Sequence, residues 1–594
     1  MLAAGLFAAT SCSDFSDYND VPVDVTTSGN QTLWENISTD PQLQNFAELV
    51  KRTGYDTKLS EARAFTVWAP VDGTYDAAAF RAMSDSMLLQ QFVLNHIAEY
   101  AFGANGKVEE RIHTLNDKSY MFVGDGSYKF GNIDITKANQ PSSNGLMHYM
   151  NGIAKFYPNL FEYLNMADGV GSLRNYFMQY NDTTLSDESV KGPMVNGVQT
   201  YLDSVLVINN TLMRGINASL QNEDSSYTFL MPTDDAYQKL YDRIKPYYNF
   251  IGTTAVQNVA DPSYSSATTV PTMNATVDAA YLSDSLTRRA IVRNLVYSNN
   301  DAYNQWIVGG PHRSMINPEF KDSIRSTVRN KFSNPDDIME KYMVGEPVEL
   351  SNGYARFVDS LAFYPWETYN PMISFNPRGN YMVGNDMRTY LARTFTSTVY
   401  NHVMSDSLAL RVLGPEWGAN RFSYYWIEPN SKFAKPDFFI SLPNVLSTTY
   451  NFYVVFLPSA WPVFGGDERP NKLNFQLSYC KADGKLETYN FSKANAELQK
   501  NGGEVSNKEK GAASVTATTA FENDPHKTDT LFIGRFTFPV AYKGLGDAYM
   551  PNLHVTTPIN ALFAAQEKAN TRDVRILGII MKPVDYEEFE ANNK

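Results

Sequence analysis

The sequence predicts an α+β chain in which two copies of one mixed helix and strand module are followed by an all-β sandwich. Three observations predict it. Short strings recur in one order through the first 370 residues, and the stretch beyond about residue 394 reads as short alternating strands. Hydrophobic residues make up 43% of the 594 residues against 19% charged, which is material for several packed cores. The 7 Trp, 37 Tyr and 35 Phe suit large side chains on pleated surfaces. With a net charge of -14 and no basic run, nothing is available to neutralise phosphates, so nucleic acid is excluded as a partner.

The N-terminal residues bear on the compartment. Met1 to Ser11 form an uncharged run of apolar and small residues ending at Cys12, and the chain then turns polar, with Asp14, Asp17 and Asp20. The run is too short to span a bilayer. It resembles the end of a bacterial lipoprotein signal peptide, and the acidic residues after it resemble the tether of surface lipoproteins of Bacteroidetes type. That resemblance implies lipid on Cys12 and anchoring in the outer membrane, facing the extracellular side. Cys480 is the only other cysteine, so no disulfide framework is expected. It ends the alternation Leu473, Phe475, Leu477, Tyr479 and falls on the opposite face with Asn474, Gln476 and Ser478, where a passive thiol is expected.

The repeat has three parts. TVWAPVDGTY from Thr66 returns as TFLMPTDDAY from Thr228, 162 positions on. SDSMLLQQFVLN from Ser84 returns as SDSLTRRAIVRN from Ser283, 199 positions on, and the SNG at Ser143 returns at Ser351, 208 positions on. The jump in offset puts 37 extra residues into the second copy between Tyr237 and Ser283, read as a long surface loop. Phe65, Val67 and Ala69 alternate into a strand stopped by Pro70, and Asp72 is placed to cap the turn or helix that follows; Phe229, Met231, Pro232 and Asp234 repeat the arrangement. Ser84 or Asp85 caps a helix whose Leu88, Leu89, Phe92, Val93, His96 and Ile97 form one buried stripe. Asn144-Gly145 and Asn352-Gly353 form turns into strands, glycine supplying the positive φ.

Strand, Pro-x-Asp, amphipathic helix and Asn-Gly before a final strand pair together resemble the fasciclin domain, twice over. TVWAPVD at Thr66–Asp72 matches the first motif of that family, and TFLMPTD at Thr228–Asp234 matches it more loosely. Asn95-His96 fits the Asn-Tyr-His-like element at the end of the family's helix, where the second copy has Leu295 in place of the histidine. The expected organisation is a signal segment at 1–12, an acidic tether at 13–30 and fasciclin-like domains at 31–166 and 167–370, the second with its insertion near 248–280. A linker at 371–393 and a β-sandwich at 394–594 complete it. The sandwich rests on FFISL, YNFYVVFLP, KLNFQLSYC, DTLFIGRFTF and VRILGIIMK, set between polar loops, among them the long Lys500 to Asp529.

The sequence carries no signature of catalysis: no H-E-x-x-H, C-x-x-C, G-x-S-x-G or Walker loop. The seven histidines include no pair at i, i+4, and His96 reads as a core histidine. No catalytic residue, metal or cofactor is expected. Triplets of Asp, then Ser or Thr, then an aliphatic residue, Met or Thr resemble an O-glycan acceptor motif, with Thr183, Ser204, Ser323, Ser407 and Thr530 as candidates; at Asp85 and Asp284 the same triplet reads as helix capping, and at Asp359 as strand burial. Trp306, Trp417 and Trp461 lie outside clear alternation, beside Pro or Gly, and are candidate ligand contacts through an exposed ring face. Structural packing is the simpler account of each. The expected function, carried by the resemblance, is a non-catalytic surface lipoprotein. It would serve as an accessory subunit beside a TonB-dependent transporter and its binding lipoprotein, taking a glycan or peptide. Adhesion to a host or neighbouring cell is the alternative, and a glycan hydrolase a third.

Overall fold

Phe65–Pro70, buried along its whole length, is the strand around which the N-terminal region is built. The computed structural model describes residues 29–185, 190–195, 198–203, 206–256, 275–299, 324–375, 391–393, 397–413, 423–442, 444–494, 520–543, 550–559 and 564–592. The described residues form two compact units, those within 29–163 with 221–225 and 349–353, and those within 164–220, 226–348 and 354–592.

In the first unit the central strand pairs antiparallel with Ile97–Glu99 and parallel with Gly145–Met150. The sheet then runs antiparallel through Ile133–Ser142, Ser127–Phe130 and Ser119–Asp125 to Lys107–His113. Alternation sends Phe65, Val67 and Ala69 to one side, against Leu33, Phe46, Leu49 and Phe92 of the helical layer. Trp68 goes to the other side with Phe122, Phe130 and Met150. Its ring stacks on Phe130 at 4.1 Å and on His148 at 5.8 Å. Gly145, at φ 152°, must be glycine, because a Cβ there would sit 2.0 Å from the Phe65 carbonyl oxygen.

Two local expectations are corrected. Asp72 closes a helix that precedes it: its carboxylate accepts the Asn45 N–H at 3.1 Å, at the start of helix Gln44–Arg52, while Asp76 caps the following helix Ala77–Arg81. The orphan N–H groups of the earlier helix lie where the strand ends, so the nearest acceptor is tertiary. The helix expected from Ser84 to Ile97 has three pitches: an α turn Asp85–Leu88, a wider turn Leu89–Val93 and a tighter one Leu94–His96, before Ile97 enters the sheet opposite Val67. The change of pitch lets Leu94, Asn95, His96 and Ile97 all be buried. Ser84 is its cap, and Asp85 pairs with Arg52 at 2.7 Å.

The second unit holds most of the second copy, whose residues 221–225 and 349–353 belong to the first. Tyr227–Pro232 lies between Val296–Ser298 and Gly353–Val358. Asp234 repeats the backward closure, accepting the N–H groups of Gly171 and Ser172 at 3.0 and 2.6 Å, at the start of helix Gly171–Met178. Burial alone would raise its carboxyl, but those N–H groups hold it below the ordinary carboxylate range. Helix Ala279–Val292 is capped by Asp278, so Ser283 and Asp284 lie inside it; Asp284 binds Arg288 at 3.0 Å and Tyr241 at 2.8 Å and caps nothing. Asp359 is exposed, one residue past its strand, and is not buried as expected. The described ends of the insertion pair as a ribbon, Thr253–Val256 with Ala275–Asp278. Residues 181–210 add a hairpin that the repeat gave no sign of, Asn181–Leu185 with Leu206–Asn210 and Val190–Val195 with Val198–Asp203.

In the same unit the C-terminal residues form two antiparallel sheets. One runs Ser397–Val403, Ser423–Pro429, Val574–Pro583, Thr449–Phe456, Asp529–Thr537; the other Leu391–Arg393, Asp437–Ser441, Asn552–Thr556, Lys472–Cys480, Leu486–Asn490. Their inward side chains, among them Phe438, Phe452, Phe475, Val555 and Ile576, share one core. All five strings read as strands are strands. The region is not purely β: Asp406–Leu413, Ala564–Ala569 and Val584–Asn592 are helices. Ile373–Phe375, in the stretch read as a linker, is a strand paired with Met581 to Ile579. The second copy is fastened to this region by Ala541 N–H donating to Asn249 O at 2.8 Å and by Phe250, Leu282, Leu286 and Ala541 packed together. Cys480 is a buried reduced thiol beside Ile251, Ala541 and Pro551.

Candidate functional site

The richest grouping of sequence-marked residues is on the outer face of the first C-terminal sheet. Helix Asp406–Leu413 lays Ala409, Val412 and Leu413 there against Tyr424, Val455, Leu457, Phe464 and Leu577. Trp461 is half-buried at the edge of that cluster. Its indole N–H donates to the His526 carbonyl at 3.1 Å, and the Arg411 guanidinium lies 4.5 Å from the ring centre. The ring is a strut between helix and loop. Ser407 is exposed in the first turn of the same helix, and Thr530 is exposed on strand Asp529–Thr537.

Beside the cluster is a cavity of about 360 Å³. Val412, Val455 and Leu577 supply aliphatic wall, and Ser374, Thr528 and Thr530 bring hydroxyls. Its origin is a bulge in the middle strand: Phe456 faces Ile576 while Val455 faces Gly578, so Leu577 is an extra residue and its neighbour has no side chain. Thr528 Oγ1 donates to the Val412 carbonyl at 2.6 Å and fixes the helix end over the space. The described lining includes no acid, base or metal-ligating side chain.

A polar group on the same face was missed in the sequence. The Trp426 indole N–H donates to Asp573, whose other oxygen accepts from Arg575 at 3.0 Å, and the guanidinium stands 4.8 Å from the Trp426 ring centre. Burial raises the Asp573 carboxyl above the ordinary carboxylate range, against the pull of Arg575. Gly465, at φ 100°, leaves room for the cation, since a Cβ there would sit 2.8 Å from Arg575 Nη2. Nothing local marks Asp573 and Arg575; the register that sets Arg575 opposite Trp426 makes the group.

Two of the three histidines of the first unit, His96 and His148, face inward, while His113 is exposed at the end of its strand. His96 Nδ1–H donates to the Phe92 carbonyl at 2.7 Å and Nε2 accepts the Ala154 N–H at 3.0 Å; burial lowers it to about 4, against the raising effect of that carbonyl. His148 Nε2–H donates to the Phe102 carbonyl at 2.9 Å, and burial likewise lowers it to about 4. Thr183 stands exposed on the 181–210 hairpin, opposite Ile208. Cys12, Trp306, Trp417, Ser204 and Ser323 lie outside the described residues. Among the described residues no group of three metal-ligating side chains is assembled, and no helix is long and apolar enough to cross a membrane.

Comparison with known proteins places one segment. Residues 41–154 match the family model of the fasciclin domain. A solved FAS1 domain pair from the insect cell adhesion molecule Fasciclin I aligns at 13% identity over 56% of this chain and 99% of that one, with a TM-score of 0.20. The enzymatically active domain of bacteriophage CBA120 tailspike protein 4 aligns at 7% identity over 32% of this chain and 18% of that one, with a TM-score of 0.14. Neither likeness is close enough to argue from. No curated protein matches. Residues 41–154, with their central strand, backward-capping Asp72 and Asn-Gly turn, are a fasciclin domain.

Proposed function

We propose that the protein is a non-catalytic binding protein displayed at the cell surface. The observation that supports this most directly is the cavity of about 360 Å³, walled by aliphatic side chains and hydroxyls, with no titratable group in its described lining. Such a space holds an apolar part of a ligand and orients it through a few hydrogen bonds, and it offers no acid or base to move a proton. The fasciclin domain agrees, because His96 and His148 are committed to backbone partners inside the core.

In finer terms we read residues 167–370 as a second fasciclin-like domain and residues 394–594 as a β-sandwich. The chain is a lipoprotein anchored through Cys12 on the outer face of the outer membrane, serving beside a TonB-dependent transporter in glycan or peptide uptake. The apolar run before Cys12 and the aspartates after it support the anchor. Exposure of Thr183, Ser407 and Thr530 leaves them open to O-glycosylation. Adhesion to another cell surface is the second reading, favoured by the fasciclin domain itself. Palmitate labelling that is lost in Cys12→Ala, together with recovery of a transporter from native membranes, is the expected result. Cell binding by the soluble chain with no transporter recovered selects adhesion, and product release from a glycan or peptide panel overturns the non-catalytic reading.

A further inference from the structure

The outer face of the second C-terminal sheet differs from that of the first. Helices cover the first, Asp406–Leu413 through the cluster above and Val584–Asn592 through Glu587, which accepts from Asn451 and Tyr453. Among the described residues no helix lies on the second. Its inward residues are sealed in the core, and its outward ones fall into rows set by register. Asp437, Thr556 and Asn474 form one row; Phe439, His554, Gln476 and Asn490 the next; Asn552, Ser478 and Thr488 the third. At about 4.8 Å between strands and about 7 Å between rows, this is a regular lattice of side-chain amides and hydroxyls. The single acid, Asp437, accepts from His554 Nε2 at 2.7 Å, and Lys472 at the edge is matched by Glu522 at 3.2 Å. The Phe439 and His554 rings stack at 4.2 Å and 7° across adjacent strands, so they stand as a wall whose imidazole face looks along the sheet toward Gln476. Asn552 Oδ1 is buried without a hydrogen-bond donor.

We infer that this face binds a neutral carbohydrate. The inference rests on the binding reading of the chain and not on the cavity. Nucleic acid needs cations that the rows do not carry, and a lipid surface needs apolar area that they do not offer. The centre of a protein interface draws on several of Tyr, Trp, Phe, Met and Arg, of which the rows hold Phe439 alone. Uncharged amides and hydroxyls, each both donor and acceptor, match the vicinal hydroxyls of a sugar, and a ring wall packs against its C–H face. The test is native electrophoresis of the full chain in gels containing starch, xyloglucan, galactomannan or laminarin, with polygalacturonate as an acidic comparator. At least one neutral polymer retards the chain and polygalacturonate does not. Phe439→Ala, and Gln476→Ala combined with Asn490→Ala, weaken that retardation about tenfold, while Tyr281→Ala, an exposed ring elsewhere, leaves it unchanged. Thr488→Glu, an exposed substitution that leaves the core untouched, weakens it as well. Retardation that survives all the face variants overturns the inference. So does the absence of retardation by any neutral polymer; if a transporter is still recovered from native membranes, the inference falls while the binding reading stands.

Discussion

Asp72 in the first copy of the repeat and Asp234 in the second each close a helix that begins well before them, 27 positions back for Asn45 and 63 for Gly171. Asn144 and Asn352 also match: each accepts the first N–H of a helix far upstream, Leu33 at 2.7 Å and Leu160 at 2.9 Å. The buried apolar content is where the copies part. Trp68, His96 and His148 in the first stand where Leu230, Leu295 and Arg356 stand in the second. Arg356 donates to the Met339 carbonyl at 3.0 Å, a partner His148 has no need of. Polar closures persist because a buried group without its partner costs about 1–3 kcal/mol, while a core residue can be exchanged for another of suitable shape if its neighbours adjust.

Acid is the strongest way to break the likeness. His96 and His148 have ordinary values of 6.5 and are lowered to about 4 in the fold, so both are neutral in the native state and add full stability above pH 6.5. Below 6.5 the unfolded chain takes up protons that the fold refuses. The loss is about 1.4 kcal/mol per pH unit for each histidine until the folded values are reached near 4, or roughly 6–7 kcal/mol for the pair. Hydrogen exchange between pH 7 and 4 is expected to show the first copy opening while the second, with Leu295 and Arg356, holds; equal opening of both would remove the distinction. His96→Leu should halve the slope and lower stability at neutral pH, since the Ala154 N–H loses its acceptor.

Next in size is Trp68→Ala, which removes a fully buried ring stacked on Phe130 and is expected to cost roughly 3–5 kcal/mol in urea unfolding of the first unit. Leu230→Ala in the second copy is expected to cost about 2–5 kcal/mol, so the pair measures how unequal the two cores are. Asn144→Ala leaves the Leu33 N–H and the Leu59 carbonyl without partners, at about 2–3 kcal/mol. Asp72→Ala and Asp234→Ala are the smallest, about 1 kcal/mol each, and should be alike if the closure is one device used twice. A thermal shift in one with none in the other would show that it is not.

The repeat was legible because its three strings keep one order, and the C-terminal strands because alternation is a local signal. Asp72 was misread because capping rules are local, whereas its helix lies 27 positions upstream. Asp284 was misread because its helix starts five residues earlier than the motif suggests, at Ala279. Trp461 could be flagged as an aromatic outside alternation, but only packing shows that Arg411 and the His526 carbonyl occupy it. The Asp573–Arg575–Trp426 group is a product of sheet register, as is the polar lattice, of which Asn474, Gln476 and Ser478 alone could be read along one strand.

The long reach of Asn144 has a consequence for biosynthesis. Leu33 leaves the ribosome 111 residues ahead of its acceptor, and the first unit also draws on residues 349–353. A nascent chain therefore carries helix Leu33–Thr39 without its acceptor until residue 144 has been added, and that end of the N-terminal unit closes only after a long stretch of chain is available.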